Sequence, residues 1–255
     1  MIKKISELTA KDIASICDHT FLNRSEAFRE KAQQGESPVE LRRIAFLKFL
    51  EETIKSPLVP YAVCVRPEDV SFAKNYIGNK KQIKVASVVG FPDGAWYTSD
   101  FKLRETELAL DHGADEIDFV LNYSLLKAGH LDAVGREIVL INDLAKRRRV
   151  QTKMILETSE LTGEQIIKAC RIAEECGVDF VKTSTGFSAY GARAEDLKIM
   201  RENFPRGVKM SGGVNIENVR ELLEAASGKD DGCIELTSEC IRIGESSLLG
   251  KLGSY

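Results

Sequence analysis

Short apolar runs alternate with longer amphipathic stretches along the whole chain. The runs are Ser15–Thr20, Tyr61–Val65, Ile83–Gly90, Glu116–Val120, Lys153–Glu157, Asp179–Lys182, Gly207–Ser211 and Ile241–Gly244. Each is short, rich in Val, Ile or Phe, and bounded by Gly, Pro, Asp or Ser, which predicts strands. The intervening stretches carry helix signals. Thr9 opens a short helix to about Ile16, and Ser37-Pro38-Val39-Glu40 reads as a cap, a first-turn proline and a capping box. That helix places Ile44, Leu47, Leu50 and Ile54 on one side and stops before Pro57. Ser99, Thr162 and Asn215 are further caps, and helices are also expected at Pro67 to about Gly78, Leu131–Arg148 and Ala194–Asn203. Residues 23–37 read as a loop or loose helical insertion, and Cys233–Leu236 as an extended piece or a short turn.

One joint occurs twice. A helix ends at Gly113 and continues Ala114-Asp115 into a strand; another ends at Gly177 and continues Val178-Asp179 into the next. Such joints suit a repeating βα plan. About eight strand–helix units follow one another without a linker, and a (β/α)8 barrel needs about 250 residues. The expected fold is a single α/β TIM barrel over residues 1–255 with a short N-terminal helix. An open α/β sheet is the alternative, but no GxGxxG follows a predicted strand.

Composition narrows the function classes. The chain is 43% hydrophobic and 29% charged, with a net charge of -3, an ordinary soluble balance. No global basic field argues for nucleic acid, and no apolar run approaches the roughly 20 residues of a membrane helix. The N-terminal residues are not followed by an apolar signal core, so a cytoplasmic location is expected. The six cysteines form no CxxC pair and the three histidines are scattered, so reduced thiols and no metal site are expected.

In a βα barrel, chemistry sits at the C-terminal ends of the strands. The polar residues expected there are Asp18, Thr20, Asp118, Asn122, Glu157, Lys182 and Lys209. Two lysines on adjacent strands are the informative feature. Neighbouring strands lie about 4.8 Å apart, and like charges at that range lower one pKa, which makes an amine nucleophilic toward a carbonyl. Either lysine alone is more simply a side chain that reaches out of the barrel mouth. With Asp118 in an apolar strand as a proton carrier or ion-pair partner, a Schiff-base site is favoured. Thr185-Gly186, Gly212-Gly213-Val214 and Gly244 with Ser246-Ser247 form three small-residue turns around the same end, a pattern suited to phosphate. The run Lys146-Arg147-Arg148-Arg149 reads as a solvated helix end. Trp96-Tyr97 is either a lid or a packed surface pair.

These motifs resemble the deoxyribose-phosphate aldolase family. The resemblance runs from Asp18-His19-Thr20 to Ser246-Ser247-Leu248-Leu249 and includes Val88–Pro92, Gly113–Asp118 and Glu157–Leu161. It is most specific in Val181-Lys182-Thr183-Ser184-Thr185-Gly186 and Lys209-Met210-Ser211-Gly212-Gly213-Val214. The resemblance implies reversible cleavage of 2-deoxy-D-ribose 5-phosphate to D-glyceraldehyde 3-phosphate and acetaldehyde, in deoxynucleoside catabolism. It makes Lys182 the Schiff-base lysine, Lys209 the lysine that perturbs it, and Asp118 the acid/base group. Asp18 and Thr20 match polar residues of the lysine network. Gly186, Gly212, Gly213, Gly244, Ser246 and Ser247 match the phosphate cradle. A small phosphorylated sugar is the expected partner, with no cofactor, metal, nucleic acid or membrane, and a homodimer is one possible assembly. Phe187 stands where some members place a lysine near the phosphate, and Ser211 where Ala is frequent. Tyr255 ends the chain, as a tyrosine ends the tail of some members. Competing readings are a phosphate-binding barrel isomerase or synthase, a sugar-phosphate sensor, and a nucleic-acid module resting on the basic run alone.

Overall fold

The structure, a computed structural model, describes residues 2–80 and 82–254. Tyr255 lies outside the described residues. The strands are β1 (Ile2–Lys4), β2 (Cys17–Thr20), β3 (Ala62–Val65), β4 (Lys84–Val89), β5 (Glu116–Val120), β6 (Gln151–Ile155), β7 (Phe180–Lys182), β8 (Gly207–Ser211), β9 (Cys233–Glu235) and β10 (Ile241–Glu245). The helices are α1 (Ala10–Ala14), α2 (Pro38–Lys55), α3 (Val70–Ile77), α4 (Ser99–Asp111), α5 (Tyr123–Lys127), α6 (Leu131–Arg147), α7 (Gly163–Glu175), α8 (Ala194–Asn203), α9 (Val219–Ser227) and α10 (Leu248–Lys251). Strands β2 to β8 follow in sequence order, and β10 closes the ring between β8 and β2. All pairings in this closed barrel are parallel. This is the TIM barrel that the strand–helix alternation predicts, with α1 as the short N-terminal helix.

The repeated joint has a mechanical reason. Gly113 and Gly177 take the left-handed turn at φ +91° and +71° that ends each helix. The following aspartate then reaches the start of the neighbouring strand. Asp115 Oδ2 accepts the Val85 N–H at 2.8 Å, and Asp179 Oδ2 accepts the Thr152 N–H at 2.8 Å. One short side chain thus satisfies a strand-start donor and sets how two units meet.

Several helix starts differ from the expectation. Thr9 forms a full capping box with Asp12, and Thr162 with Gln165. Ser37 precedes Pro38 but makes no capping hydrogen bond through its side chain. Thr98, not Ser99, caps α4; the Ser99 hydroxyl donates instead to Glu137 at 2.7 Å. Asn215 holds a turn by accepting the N–H groups of Glu217 and Asn218, and α9 begins only at Val219. Helix α2 buries Phe46, Phe49, Leu50 and Thr53, while Ile44 is exposed. The phenylalanines win because they meet Phe21, with ring centroids 5.2 and 5.5 Å away.

Strand β1 has no counterpart in the expected elements. It pairs antiparallel with β9, joining Ile2 to Glu235 across most of the chain. A three-residue strand has too short a pattern to announce itself, and its partner lies far away in sequence.

The apolar side chains form two clusters. The larger lies between the barrel and the helices and includes Ile117, Phe119, Met154, Val181, Val208 and Ile243 with helix residues such as Ile138 and Ile141. The smaller comprises Leu22, Cys64, Ala86, Val88, Phe91, Val120 and Ile155. It shares the barrel interior with a buried group of charged side chains.

Candidate active site

The registers of β7 and β8 place Lys182 beside Lys209. The next register places Arg242 of β10 beside Lys209, and Lys153 of β6 lies beside Asp118 of β5. These side chains, with Asp18 and Glu116, converge inside the barrel. Lys182 is 3% exposed, and the other six are 0% exposed.

Asp118 is the hub. Its Oδ2 accepts from Lys182 Nζ at 3.1 Å and from Lys209 Nζ at 2.7 Å, and its Oδ1 accepts from Lys153 Nζ at 2.7 Å. Lys209 also donates to Asp18 Oδ2 at 2.5 Å. Lys153 and Arg242 share Glu116 Oε2, at 2.6 and 2.5 Å, and Arg242 Nε donates to Asp18 Oδ1 at 3.0 Å. Below this network the Arg242 guanidinium lies 3.6 Å from the Tyr61 ring centroid.

The charges do not balance when every group is ionised. Three carboxylates, Asp18, Glu116 and Asp118, face Lys153, Lys182, Lys209 and Arg242. Burial opposes the charge on Asp18, Asp118 and the four bases. Asp118 and Asp18 outweigh it for Lys209 and hold that ammonium charged well above its ordinary value. Asp118 and Glu116 also raise Lys153 above its ordinary value, and Asp18 and Glu116 raise Arg242. Against burial, Arg242 and the lysines hold Asp18 down at about 2, and Lys153, Lys209 and Lys182 hold Asp118 well below the carboxylate range. Lys182 alone among the four bases moves the other way. Burial and then the Lys209 charge lower its pKa more than Asp118 raises it. Of the four bases, Lys182 is therefore the one that most readily gives up its proton.

A cavity of about 260 Å³ opens near the same end of the barrel. Thr20, Thr185, Gly186, Ser211, Gly212, Gly213, Gly244 and Ser246 are among its lining residues. Gly186, Gly212 and Gly213 sit at φ +85°, +84° and +71°, which turns the chain so that backbone groups can approach a ligand closely. Gly244 serves another purpose. A Cβ there would lie 2.9 Å from both Lys209 Cε and Ser211 Oγ, so the glycine makes room for the lysine.

The expected site residues divide as follows. Lys182, Lys209, Asp118 and Asp18 come together in the ion network. Thr20 lines the cavity and donates its hydroxyl to the Asp18 carbonyl at 2.9 Å. Gly186, Gly212, Gly213, Gly244 and Ser246 line the cavity, whereas Ser247 does not and instead precedes α10 as its N-cap residue. Asn122 is spent on capping α5, accepting the Leu125 N–H at 3.1 Å. Glu157 lies beyond β6 in a left-handed conformation, where its carboxylate accepts both the N–H and the hydroxyl of Thr185 and so fixes the cavity loop. Trp96 is 84% exposed and Tyr97 stacks on Phe101, so neither lines the cavity. Arg148 of the basic run pairs with Asp111 at 2.8 Å on the surface.

The sequence reading missed Glu116, Lys153 and Arg242. Each lies two residues before an inward position that closes the interior higher up: Asp118, Ile155 and Gly244. A charged residue at such a period-two position of an apolar strand was the available signal. Attention to the strand ends alone passed over it.

Comparison with known proteins adds an independent line. Residues 13–244 match the family described as DeoC/LacD family aldolase. The chain is 40% identical over 226 residues to a deoxyribose-phosphate aldolase of Thermococcus gammatolerans, covering 87% of this chain and 92% of that protein. It is 38% identical over 226 residues to one from Caldicellulosiruptor saccharolyticus, covering 87% of this chain and 94% of that protein. The solved deoxyribose phosphate aldolase of Aeropyrum pernix, described as a tetramer, superposes with a TM-score of 0.70 at 25% identity, covering 98% of this chain and 94% of that one.

Proposed function

The chain belongs to the DeoC/LacD aldolase family, and we propose that Lys182 is its Schiff-base nucleophile, Lys209 the cation that keeps it neutral, and Asp118 its acid/base partner. The reaction is the reversible cleavage of 2-deoxy-D-ribose 5-phosphate to D-glyceraldehyde 3-phosphate and acetaldehyde. The observation that carries the reading is the unequal fate of two facing lysines. Lys209 is charged by two carboxylates, while Lys182, with one more distant contact, is pushed toward the free amine.

In the cleavage direction the Lys182 amine attacks C1 of the open-chain aldehyde, and loss of water gives an iminium. The C3 hydroxyl proton passes to Asp118, directly or through a water that it holds. The C2–C3 electron pair flows into the iminium, and D-glyceraldehyde 3-phosphate leaves. The enamine takes a proton on carbon, and water releases acetaldehyde and the amine. Because Asp118 is held strongly as a carboxylate, its proton affinity must come from the change of charge on Lys182 during the cycle. Asp18 steadies Lys209, and Thr20 belongs to the cavity wall. Backbone N–H groups of the Gly186, Gly212, Gly213 and Gly244 turns, with Ser246, receive the phosphate end.

We further propose one functional unit over residues 1–255, a cytoplasmic location and an assembly of several copies, a homodimer being the smallest. Among the described residues no helix is long and apolar enough to cross a membrane, and light scattering reads the assembly directly. Borohydride reduction in the presence of substrate, followed by peptide mapping, tests the chemistry. A mass adduct on Lys182 is expected. No adduct, or one on Lys209 alone, sinks the assignment.

A further inference from the structure

The cavity beside the ion network is short of positive charge. Among the described residues its lining includes the apolar side chains of Leu22 and Phe187, the amide of Asn23, and no lysine or arginine. Glu245 is the ionisable side chain among these residues. The ammonium of Lys209 is committed to Asp18 and Asp118, and that of Lys182 faces Asp118. The full charge that a substrate tail meets is therefore negative.

Glu245 also occupies donors that a phosphate would need. Its Oε1 accepts the Ser246 N–H at 2.7 Å and the Ser246 hydroxyl at 3.0 Å. The turn is tied from beneath, with His19 Nε2 3.2 Å from the Ser246 carbonyl oxygen and His19 Nδ1 2.9 Å from Thr53 Oγ1. A phosphate dianion can only accept hydrogen bonds, so to reach the Ser246 donors it must displace this carboxylate and then sit beside it. A terminal hydroxyl is both donor and acceptor. It can donate to Glu245 and accept from a glycine N–H without breaking the existing contacts.

We propose that Glu245 is the specificity-determining residue of this cavity: it opposes the phosphate dianion and lets the enzyme turn over 2-deoxyaldoses that end in an uncharged hydroxyl. The inference rests on the aldolase reading above and concerns only the end of the substrate remote from Lys182.

The test compares kcat/KM for 2-deoxyribose 5-phosphate and for 2-deoxyribose, by acetaldehyde release, in the wild-type protein, Glu245→Gln and Phe187→Lys. The second variant adds a cation at a position that is 63% exposed. Wild-type protein is expected to cleave both sugars. In each variant the ratio of phosphate ester to free sugar is expected to rise about tenfold, as fits one charge changed near a dianion in a solvated, salt-screened cavity. The rise should appear in KM rather than kcat. Inorganic phosphate should compete with 2-deoxyribose more strongly in Glu245→Gln than in wild type. A ratio that stays constant in both variants overturns the proposal, as does wild-type protein with no measurable turnover of 2-deoxyribose. Borohydride trapping alongside separates the two levels. An adduct on Lys182 with a constant ratio overturns the role of Glu245 only. No adduct with either sugar overturns the aldolase reading and this proposal with it.

Discussion

On β5, Ile117 and Phe119 join the apolar cluster that packs barrel against helices, whereas Glu116 and Asp118 enter the interior ion network. On β8 the same alternation sets Val208 and Met210 against Lys209 and Ser211. Both faces are fully buried, so burial alone does not separate them. The outward face excludes water with side chains that need no partner. The inward face carries charges that are tolerable only because each meets an opposite charge within a few ångströms. A structural face can lose an atom and remain chemically the same; the charged face changes protonation when one member is lost.

Substitutions on the two faces should therefore fail differently. Lys182→Leu is expected to reduce cleavage to background, a loss of about a thousandfold or more if positioned proton and nucleophile chemistry both depend on it. Its thermal melt should stay close to wild type, because the lysine is the surplus positive charge. Asp118→Leu should lose comparable activity and also stability, on the order of 3–5 kcal/mol, because it leaves the buried cations Lys153, Lys209 and Arg242 facing only Asp18 and Glu116. Denaturant melts beside turnover assays would detect both losses. Phe119→Ala tests the opposite face. About 3–5 kcal/mol of stability should go, with kcat/KM of the folded fraction changed by less than about threefold, as expected when no reacting group moves. A large activity loss in the folded fraction would mean that the two faces are not separable.

The pH profile sharpens the comparison further. The neutral amine is the reactive form, so kcat/KM should rise with pH through a Lys182 pKa below its ordinary 10.5. Lys209→Met removes the opposing cation and leaves Asp118 to Lys182 and Lys153. The acid limb should then move to higher pH and activity at neutral pH should fall. An unmoved limb would remove Lys209 from the role proposed for it. The smallest effect is on acid stability. Asp18 is held at about 2, below its unfolded value. Its contribution is complete above about pH 4 and drains away as the pH falls toward 2. Acid titration monitored by circular dichroism should place the loss in that window, and replacing Asp18 by Asn should weaken the dependence.

Much of this was legible in the chain. The barrel follows from eight apolar runs at regular spacing, and Gly186, Gly212, Gly213, Gly244 and Ser246 line one cavity together with Thr20, whereas Ser247 does not. Glycine and serine turns are readable because their backbone requirements are local. Helix caps were less so, since Ser99 and Thr98 offer the same chemistry one residue apart and only Glu137, from a later helix, takes Ser99 away. Glu116, Lys153 and Arg242 are visible as charged period-two positions of apolar strands, but the partners that compensate them lie on other strands.

The pattern of apolar and polar positions determined the strands, their order and the end of the barrel at which Lys182 and Lys209 would meet. Those properties depend on neighbours in the chain and on the period of a strand. Tertiary structure decided what Lys182 is chemically. Its lowered pKa depends on burial and on Lys209 at the matching register, which together outweigh Asp118. Electrostatic interactions act through space, so the state of that amine belongs to the closed barrel rather than to any stretch of residues around it.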